Sequence, residues 1–467
     1  MKKFTRKVFS TLMCTTVLLS VSGCSTSNEA TPVSSDGVTE VVFWHSANGA
    51  IGTALENVIN EYNQTRGAEK GIRVNLVYQG YEGTDKVLLA YQTNDIKNAP
   101  DINVGLTSTI PQMMDLDWTV SAAEFMNREG SEITEDSFYE SLQRSCTYED
   151  EMVAVPFANS TLLLYYNVDA LKEVGLDGPP ETMDELKQYV EALTVKDEAG
   201  NVTRYGLNMQ TKRYQLTNFI VSQNEGSFFG DNEGGRLAPM TKLTIDEDGT
   251  LRAFLEKLDA LVKTGGYKYI EDSINEEFAQ GLSAMAIMSS SRVSTIADLV
   301  GDSFEFMTAP IPKVNAEDTS GASVGGSALM MFDRGDEARL EAAWDVLEYC
   351  ASPEAQFVFS SGSGYIPVNT EVEKMDEMKA YYEANPQYLV ALEQMKNSSP
   401  LAQEPFDLVY NEINSIITDT MLEFCQGKLS IDETIEKIVS QCNLALDEYH
   451  YACLLYTSPS PRDTERS

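Results

Sequence analysis

VTEVVFW, residues 38–44, is rich in β-branched and aromatic residues and predicts a β-strand. An amphipathic helical stretch follows it, and then the alternating sequence IRVNLVY, residues 72–78, predicts a second strand. A further helix is predicted over residues 84–93 and a third strand over residues 101–105. Because strands that alternate with helices run parallel to one another, this order predicts an α/β fold with a mostly parallel sheet flanked by helices.

The end of the first strand is a candidate binding site. In open α/β sheets, ligands lie beyond the carboxyl ends of the strands. That rule brings Trp44, His45 and the loop 80–83 to one edge of the predicted sheet. Two interpretations of the Trp-His pair stay open: contact with a ligand, or a packed and hydrogen-bonded lip.

The rest of the body continues the α/β pattern. Thr182 with Glu185, and Ser430 with Glu433, have the spacing of capping boxes and predict helix starts. About 415 residues lie between the two chain ends, which is too many for one core and predicts two lobes. Further apolar strands are predicted over residues 152–157, 161–166, 284–289, 304–309 and 327–332.

The N-terminus has the pattern of an exported and anchored protein. Residues 1–23 combine four basic residues with an apolar run from Val8 to Val21, which predicts a secretory signal peptide. Val21-Ser22-Gly23-Cys24 resembles the bacterial lipobox, so Cys24 is expected to carry lipid and anchor the mature chain to the cell membrane. An ordinary signal with an incidental cysteine is the alternative. Residues 24–37 are small and polar, and they predict a flexible tether.

The C-terminal residues 453–467, CLLYTSPSPRDTERS, break from the preceding helical pattern. They resemble translated adapter sequence and are predicted to be non-native. A native disordered tail is the alternative.

The charge of the chain excludes two classes of partner. The formal net charge is −38, and it becomes −42 once the four basic residues of the predicted signal peptide are removed. Such a field repels nucleic acids and anionic membrane surfaces, so we expect no nucleic-acid partner.

The cysteines give no metal-binding or redox pattern. Cys14, Cys24 and Cys453 lie in the predicted terminal segments, and no C-x-x-C spacing occurs. Either Cys425 and Cys442 pair across consecutive predicted helices, or they are buried free thiols together with Cys146 and Cys350. His45 and His450 are the two histidines of the sequence, so neither a metal nor a cofactor is expected.

Several short motifs occur together and in a shared order. They are FWHS (43–46), NAPD (98–101), PQMMDL (111–116), VPFANST (155–161), LYYN (164–167), AMAI (284–287), GGS (325–327), AAW (342–344), SPE (352–354) and GYIPV (364–368). In this order they resemble the extracellular solute-binding proteins of ATP-binding-cassette importers, in the branch of maltose-binding and glycerol-3-phosphate-binding proteins.

The resemblance implies a type II periplasmic-binding-protein fold, in which two lobes close on a ligand at the hinge. Residues 38–150 and 301–359 would form lobe 1, and residues 151–300 and 360–452 would form lobe 2. The expected protein is a monomer that binds a sugar, oligosaccharide or polyol derivative outside the membrane and docks on the permease subunits of an importer.

Ligand-binding positions follow from the resemblance where local motifs match. They are Tyr81, Asn159 or Ser160, Ser289, Gly326 and Tyr365. Tyr214 is a further candidate, with a core role as its alternative. Aromatic faces pack on sugar rings while hydroxyls and amides satisfy sugar hydroxyl groups.

The departures from the family pattern bear on the ligand. Thr107 stands where that branch has an acidic residue, and Phe406 or Asp407 stands where it has a basic residue near the phosphate. Since phosphate favours an arginine fork or a helix N-terminus, a neutral oligosaccharide or glycoside is favoured over a phosphodiester. Glycerol 3-phosphate or a glycerophosphodiester stays the alternative ligand.

An enzyme is not expected from these residues. No Gly-x-Ser-x-Gly elbow, P-loop or dinucleotide fingerprint occurs. Two other classes of protein stay open: a glycoside hydrolase, and a surface lipoprotein that captures polysaccharide without an importer.

Overall fold

The computed structural model describes residues 37–270 and 273–457 of the chain. The predicted signal peptide, Cys24, nearly all of the predicted tether and the last ten residues lie outside the described residues. The predicted strands over 38–44, 72–78 and 101–105 are all found, with boundaries shifted by at most one residue.

The strands, in chain order, are β1 (Thr39–His45), β2 (Ile72–Tyr78), β3 (Ile102–Leu106), β4 (Thr119–Val120), β5 (Thr147–Tyr148), β6 (Glu151–Met152), β7 (Val155–Ser160), β8 (Leu162–Asn167), β9 (Val195–Lys196), β10 (Val202–Met209), β11 (Tyr267–Lys268), β12 (Ser283–Ser289), β13 (Phe306–Pro310) and β14 (Gly325–Phe332).

The helices are α1 (Gly49–Gln64), α2 (Arg66–Lys70), α3 (Gly83–Gln92), α4 (Ile110–Met114), α5 (Ala122–Met126), α6 (Glu140–Ser145), α7 (Val168–Glu173), α8 (Met183–Leu193), α9 (Arg213–Val221), α10 (Asp231–Gly235), α11 (Thr250–Lys263), α12 (Ile274–Ala279), α13 (Val293–Val300), α14 (Glu337–Cys350), α15 (Pro353–Ser363), α16 (Asp376–Ala384), α17 (Pro386–Asn397), α18 (Tyr410–Cys425) and α19 (Ile431–Thr457).

Within the described residues, the strands form two six-stranded sheets and one two-stranded sheet. The first sheet has the order β2-β1-β3-β14-β4, with β7 also paired to β14. The second has the order β11-β10-β12-β8-β13, with β9 paired to β10. Each sheet therefore repeats one arrangement, in which three parallel strands are followed by an antiparallel one.

The prediction of mostly parallel sheets needs correction, because both sheets are mixed. β1 pairs in parallel with β2 and β3, but β14 pairs antiparallel with β3, β4 and β7. The second sheet likewise has two parallel and three antiparallel pairs. The reason is that β8 and β14 each follow a strand of the opposite sheet, so no helical crossover sets their direction.

The strand pairing also corrects the predicted lobe boundaries at residues 151 and 301. β7 belongs to the first sheet, so the chain first crosses at Thr161, between β7 and β8. β13 belongs to the second sheet, so the return lies between Pro310 and Gly325. An apolar strand has the same sequence pattern in either sheet, so only its pairing partners distinguish the two.

The helices cover the sheets from both sides and build two apolar cores. The first core contains Phe43 and Tyr62, and α14 and α15 pack there against β1 and α1. The second contains Leu207 and Phe254, and α11, α18 and α19 pack around it.

Helix starts follow the predicted capping chemistry. The Thr182 hydroxyl accepts a hydrogen bond from the Glu185 amide, and Ser430 and Glu433 form both bonds of a capping box. Cys146, Cys350, Cys425 and Cys442 are buried free thiols, which rules out the Cys425–Cys442 disulfide. The last helix continues to Thr457, beyond the predicted break at residue 453.

Gln394 joins the two chain crossings between the sheets to α17. Its side-chain amide donates to Thr161 Oγ1 at 2.8 Å and to the Leu162 carbonyl at 2.7 Å, and it accepts from the Ile311 amide at 2.9 Å. Thr161 lies at the first crossing, Ile311 begins the second, and Gln394 is on α17. All of these groups are buried, so one side chain ties both crossings to this helix.

Replacing Gln394 with alanine is expected to lower the free energy of unfolding by about 2 kcal/mol, because the Leu162 carbonyl and the Ile311 amide lose their partner in a buried position. Chemical denaturation measures the change. Asn397→Ala, on the same helix but exposed, is the control and should have less than about a quarter of that effect. Equal effects of the two substitutions would contradict the role of Gln394.

Candidate ligand-binding site

A cavity of about 740 Å³ is lined by residues of both sheets. The first sheet contributes His45 at the end of β1 and Leu106 at the end of β3. The second contributes Gln210, directly after β10, and Ser289 at the end of β12. The cavity therefore lies at the carboxyl ends of the parallel strands, where the sequence predicted a site, and its volume suits a small-molecule ligand.

Uncharged hydrogen-bonding groups form much of the cavity wall. They come from the loops after β1, β3, β7 and β12, and from α9. Representative residues are Ser46, Asn48, Thr107, Ser160, Gln215 and Ser291. Hydroxyl and amide groups can each donate and accept, which is the chemistry that a polyhydroxylated molecule needs.

One part of the wall is aromatic. The ring of Phe157 stacks on Phe359 with centroids 4.5 Å apart, and Phe359 stacks on Tyr365 at 5.7 Å with an angle of 8° between the ring planes. All three residues line the cavity. Phe157 and Phe359 are buried and Tyr365 is partly exposed, so this stack presents a fixed aromatic surface to a ligand.

Six of the predicted binding residues line this cavity. They are His45, Ser160, Tyr214, Ser289, Gly326 and Tyr365. Tyr81 lies in a short turn, Gly80–Glu82, whose Gly80 lines the cavity, but the side chain of Tyr81 lies outside the described residues.

Trp44 and Asn159 do not line the cavity. Trp44 is packed in the first core, because successive side chains of a strand point to opposite faces and His45 takes the cavity side. Asn159 is fully buried on β7. Its carbonyl accepts from the Ile366 amide at 2.9 Å, and its side-chain Nδ2 donates to the Gly325 carbonyl at 3.4 Å. Asn159 therefore holds the segments that carry Tyr365 and Gly326.

Gly326 is a position at the cavity wall where the backbone conformation and close packing demand glycine. Its φ is +123°, and a Cβ placed on it would lie 2.2 Å from the Ala158 carbonyl oxygen. The absence of a side chain lets β14 approach β7 closely at the cavity wall. We infer that the role of Gly326 is to let β14 and β7 lie close together.

No sequence pattern predicted the charged groups that line the cavity. Arg292 and Lys212 line it, as do the acidic residues Asp85 and Glu412. Arg292 is exposed and forms no ion pair with any residue that the structure describes. Burial lowers the pKa of His45, so its imidazole is neutral at pH 7. Positive and negative groups are thus both present at the wall.

A buried ionic cluster supports the cavity floor. The Arg213 guanidinium donates to Glu404 Oε2 at 3.1 Å and lies 3.7 Å from Asp407 Oδ2. It also lies 4.6 Å from the centroid of the Tyr410 ring. The Arg213 side chain is 1% exposed, so the two carboxylates are what make its burial tolerable.

The segment 404–407 contains Phe406 and Asp407, one of which was predicted to stand where the phosphate-binding branch has a basic residue. Phe406 packs under the Arg236 guanidinium at 4.3 Å, and Asp407 faces Arg213. Basic groups therefore do approach this segment, but they come from other parts of the chain and are engaged by carboxylate, carbonyl and aromatic groups. No spacing in the sequence links these residues.

The fold and the site agree with what comparison with known proteins shows. The sequence matches the family model of bacterial extracellular solute-binding proteins over residues 57–387. The chain belongs to this family. Family membership places the protein outside the cytoplasm. No helix among the described residues is long and apolar enough to cross a membrane.

The alignments with individual relatives cover most of this solute-binding protein. The sn-glycerol-3-phosphate-binding periplasmic protein UgpB of Salmonella typhimurium is 26% identical over 427 residues, covering 89% of this chain and 94% of the relative. The sugar-binding protein MalE from Xanthomonas citri has a TM-score of 0.72 at 19% identity, covering 90% of this chain and all of that one.

A third relative is UgpB from Mycobacterium tuberculosis, solved in complex with glycerophosphocholine, with a TM-score of 0.71 at 20% identity and coverage of 89% and 100%. The structural likeness shows the two-lobed type II fold of periplasmic binding proteins, which was predicted from the sequence.

Proposed function

We propose that this solute-binding protein captures a small polyhydroxylated solute, a sugar or sugar derivative, and delivers it to an ATP-binding-cassette importer. The single observation that carries the proposal is the cavity wall, which combines the Phe157-Phe359-Tyr365 stack with numerous uncharged hydroxyl and amide groups. Rings pack on the apolar faces of a pyranose, and the hydroxyl and amide groups satisfy its polar edge.

The names of the relatives support this class of ligand. MalE from Xanthomonas citri is described as sugar-binding, and a structure from Arthrobacter globiformis, with a TM-score of 0.70, as a cyclic α-maltosyl-1,6-maltose binding protein. Each likeness is at or below 21% identity.

A second candidate ligand is glycerol 3-phosphate or a glycerophosphodiester. The specific observation that favours it is Arg292, which lines the cavity beside Ser289 and Ser291 without an ion-pair partner among the described residues. A guanidinium and two hydroxyls suit a phosphate group. UgpB of Salmonella typhimurium is named for glycerol 3-phosphate. Glycerol 3-phosphate has no ring face that could pack on the aromatic stack, so we favour the sugar.

The proposed mechanism is reversible binding, with no bond of the ligand broken. An open form takes the ligand against one lobe, and closure at the hinge completes its hydrogen bonds from the other. Cys24 carries the lipid anchor, and the closed monomer docks on the permease subunits. A surface capture protein without an importer would use the same cavity, and the presence of permease genes beside its own would argue against that alternative.

A ligand panel tests the proposal. Thermal unfolding is measured with mono- and oligosaccharides, polyols, glycerol 3-phosphate and glycerophosphodiesters, because a ligand at 100 times its Kd stabilises the native state by about 2.7 kcal/mol. We expect a saccharide to give the largest shift and small-angle scattering to show compaction with it. A shift with phosphate esters alone would overturn the sugar assignment, and release of cleaved products from the same panel would make the protein a glycosidase.

A further inference from the structure

The Glu404 side chain has one satisfied and one unsatisfied oxygen at the cavity floor. Oε2 accepts a hydrogen bond from Arg213 Nη1 at 3.1 Å. Oε1 is buried and has no hydrogen-bond partner among the residues that the structure describes. Glu404 also lines the cavity, and it is 7% exposed. A buried carboxylate oxygen without a donor is costly, so a donor is expected to reach it in the functional state.

Gly325 lies against Glu404 at the cavity wall. A Cβ placed on Gly325 would lie 3.2 Å from Glu404 Cγ, 3.7 Å from its Cδ and 3.1 Å from Cε2 of Tyr214. Gly325 itself lines the cavity. Any side chain at this position would therefore crowd both the Glu404 side chain and the tyrosine ring, and glycine leaves room beside them.

The groups around Glu404 favour a hydrogen-bond donor at this place over an anion. Arg213 is already shared with Asp407, and Arg236 donates to the Glu404 backbone carbonyl at 2.8 Å. Tyr214 and Glu404 both lie next to Gly325. The two arginines are thus balanced by two carboxylates, and no excess positive charge is left here for a phosphate.

We infer that Glu404 is a ligand-contacting residue of the cavity, whose Oε1 accepts a hydrogen bond from a hydroxyl group of the bound solute. The inference rests on the proposed function and names the contact that determines which solute is bound. A hydroxyl supplies the missing donor, whereas an ionised phosphate supplies none and is repelled by the carboxylate. The contact therefore selects neutral polyols over phosphate esters at the cavity floor.

The contact makes binding depend on pH. Burial raises the pKa of Glu404 to about 7, although Arg213 and Arg236 act in the opposite direction and Asp407 in the same one. A hydroxyl donor favours the charged form, so the ligand lowers this pKa, and the affinity falls as the pH drops below about 7. A group with a pKa near 7 is about nine-tenths ionised at pH 8 and one-tenth ionised at pH 6. Because the ionised carboxylate is the form that accepts the hydrogen bond, the affinity falls about tenfold between these pH values.

Isothermal titration with maltotriose and with glycerol 3-phosphate tests the inference on the whole protein at pH 6 and pH 8. For maltotriose we expect Glu404→Gln to bind about tenfold more weakly than the natural protein at pH 8, with affinities at the two pH values within about twofold of each other. Burial lowers the pKa of His45, which also lines the cavity, so a flat profile in Glu404→Gln is what assigns the pH dependence to Glu404.

Two further variants complete the test. Gly325→Ala places a methyl group 3.2 Å from Glu404 Cγ and 3.1 Å from Tyr214 Cε2, so it should also weaken maltotriose binding if Glu404→Gln is too unstable to measure. Glu423→Gln, at an ion pair with Lys437 outside the cavity, is the matched control and should bind normally.

The outcomes separate the inference from the proposed function. Maltotriose binding that is unchanged in both Glu404→Gln and Gly325→Ala would overturn the role of Glu404 and leave the proposed function intact. Binding of glycerol 3-phosphate without maltotriose would overturn the sugar assignment, and it would also overturn the selection against phosphate esters that Glu404 is inferred to make. Binding of neither probe would overturn both.

Discussion

Replacing Arg213 with alanine is expected to lower the free energy of unfolding by about 3–5 kcal/mol at pH 8, because it leaves two buried carboxylates without their cation. Glu404 and Asp407 are both at least nine-tenths buried, and Arg213 lies between them at 3.1 and 3.7 Å. Chemical denaturation measures the loss.

The loss should shrink at pH 5. Burial already raises the pKa values of Glu404 and Asp407, and removing the guanidinium raises them further. Both groups therefore bind protons in the folded state more readily as the pH falls from 8 to 5, which reduces the unpaired charge. Stability of the variant therefore falls as the pH rises through these raised pKa values.

Arg252→Ala provides the control for the Arg213 variant. Arg252 pairs with Asp432 on the surface, where the two side chains are 49% and 81% exposed. Such a pair is worth about 0–1 kcal/mol. If Arg213→Ala cost no more than Arg252→Ala, or cost the same at pH 5 and pH 8, the buried cluster would not support the cavity as described.

Replacing Tyr365 with alanine is expected to weaken ligand binding by about 10- to 100-fold while leaving the protein folded. The ring ends the aromatic stack at the cavity wall, where it is partly exposed. The loop that carries it is fixed by backbone groups, with the Ile366 amide donating to the Asn159 carbonyl at 2.9 Å and Val368 to Gln356 Oε1 at 3.0 Å. Those bonds do not need the tyrosine side chain.

Calorimetry with the best saccharide of the panel measures the Tyr365 effect. Tyr365→Phe keeps the stacking ring and should lose less affinity than the alanine variant. Tyr189→Ala, on the outer helix α8 and away from the cavity, is the control for losing a tyrosine. Normal affinity in Tyr365→Ala would remove the residue from the site.

The strands were predictable because their patterns are local. Residues 72–78 alternate, residues 38–44 are β-branched and aromatic, and both form strands within a residue of the predicted limits. Pairing is not local. The segment 304–309 has the same apolar character whether it joins β14 or β8, and only the packed structure assigns β13 to the second sheet.

The site was predictable only where a motif carried it. Ser160, Ser289 and Tyr365 belong to short sequences with a recognisable pattern, and they line the cavity. Glu404 and Arg213 are 191 residues apart. No helical or strand period spans that distance, so their contact was not visible before folding. Trp44 and His45 were predicted as a pair, but the alternation of a strand sends their side chains to opposite sides.

The sequence alone determined the α/β class, the order of the elements, the helix starts and the family of exported solute-binding proteins, since these depend on periodicity, capping residues and short motifs. Tertiary structure decided which strands pair, where the chain crosses between sheets, and that Gln394 and the Arg213 cluster hold hinge and cavity floor. The physical reason is that hydrogen bonds and ion pairs between distant segments depend on three-dimensional distance and burial, which no local pattern encodes.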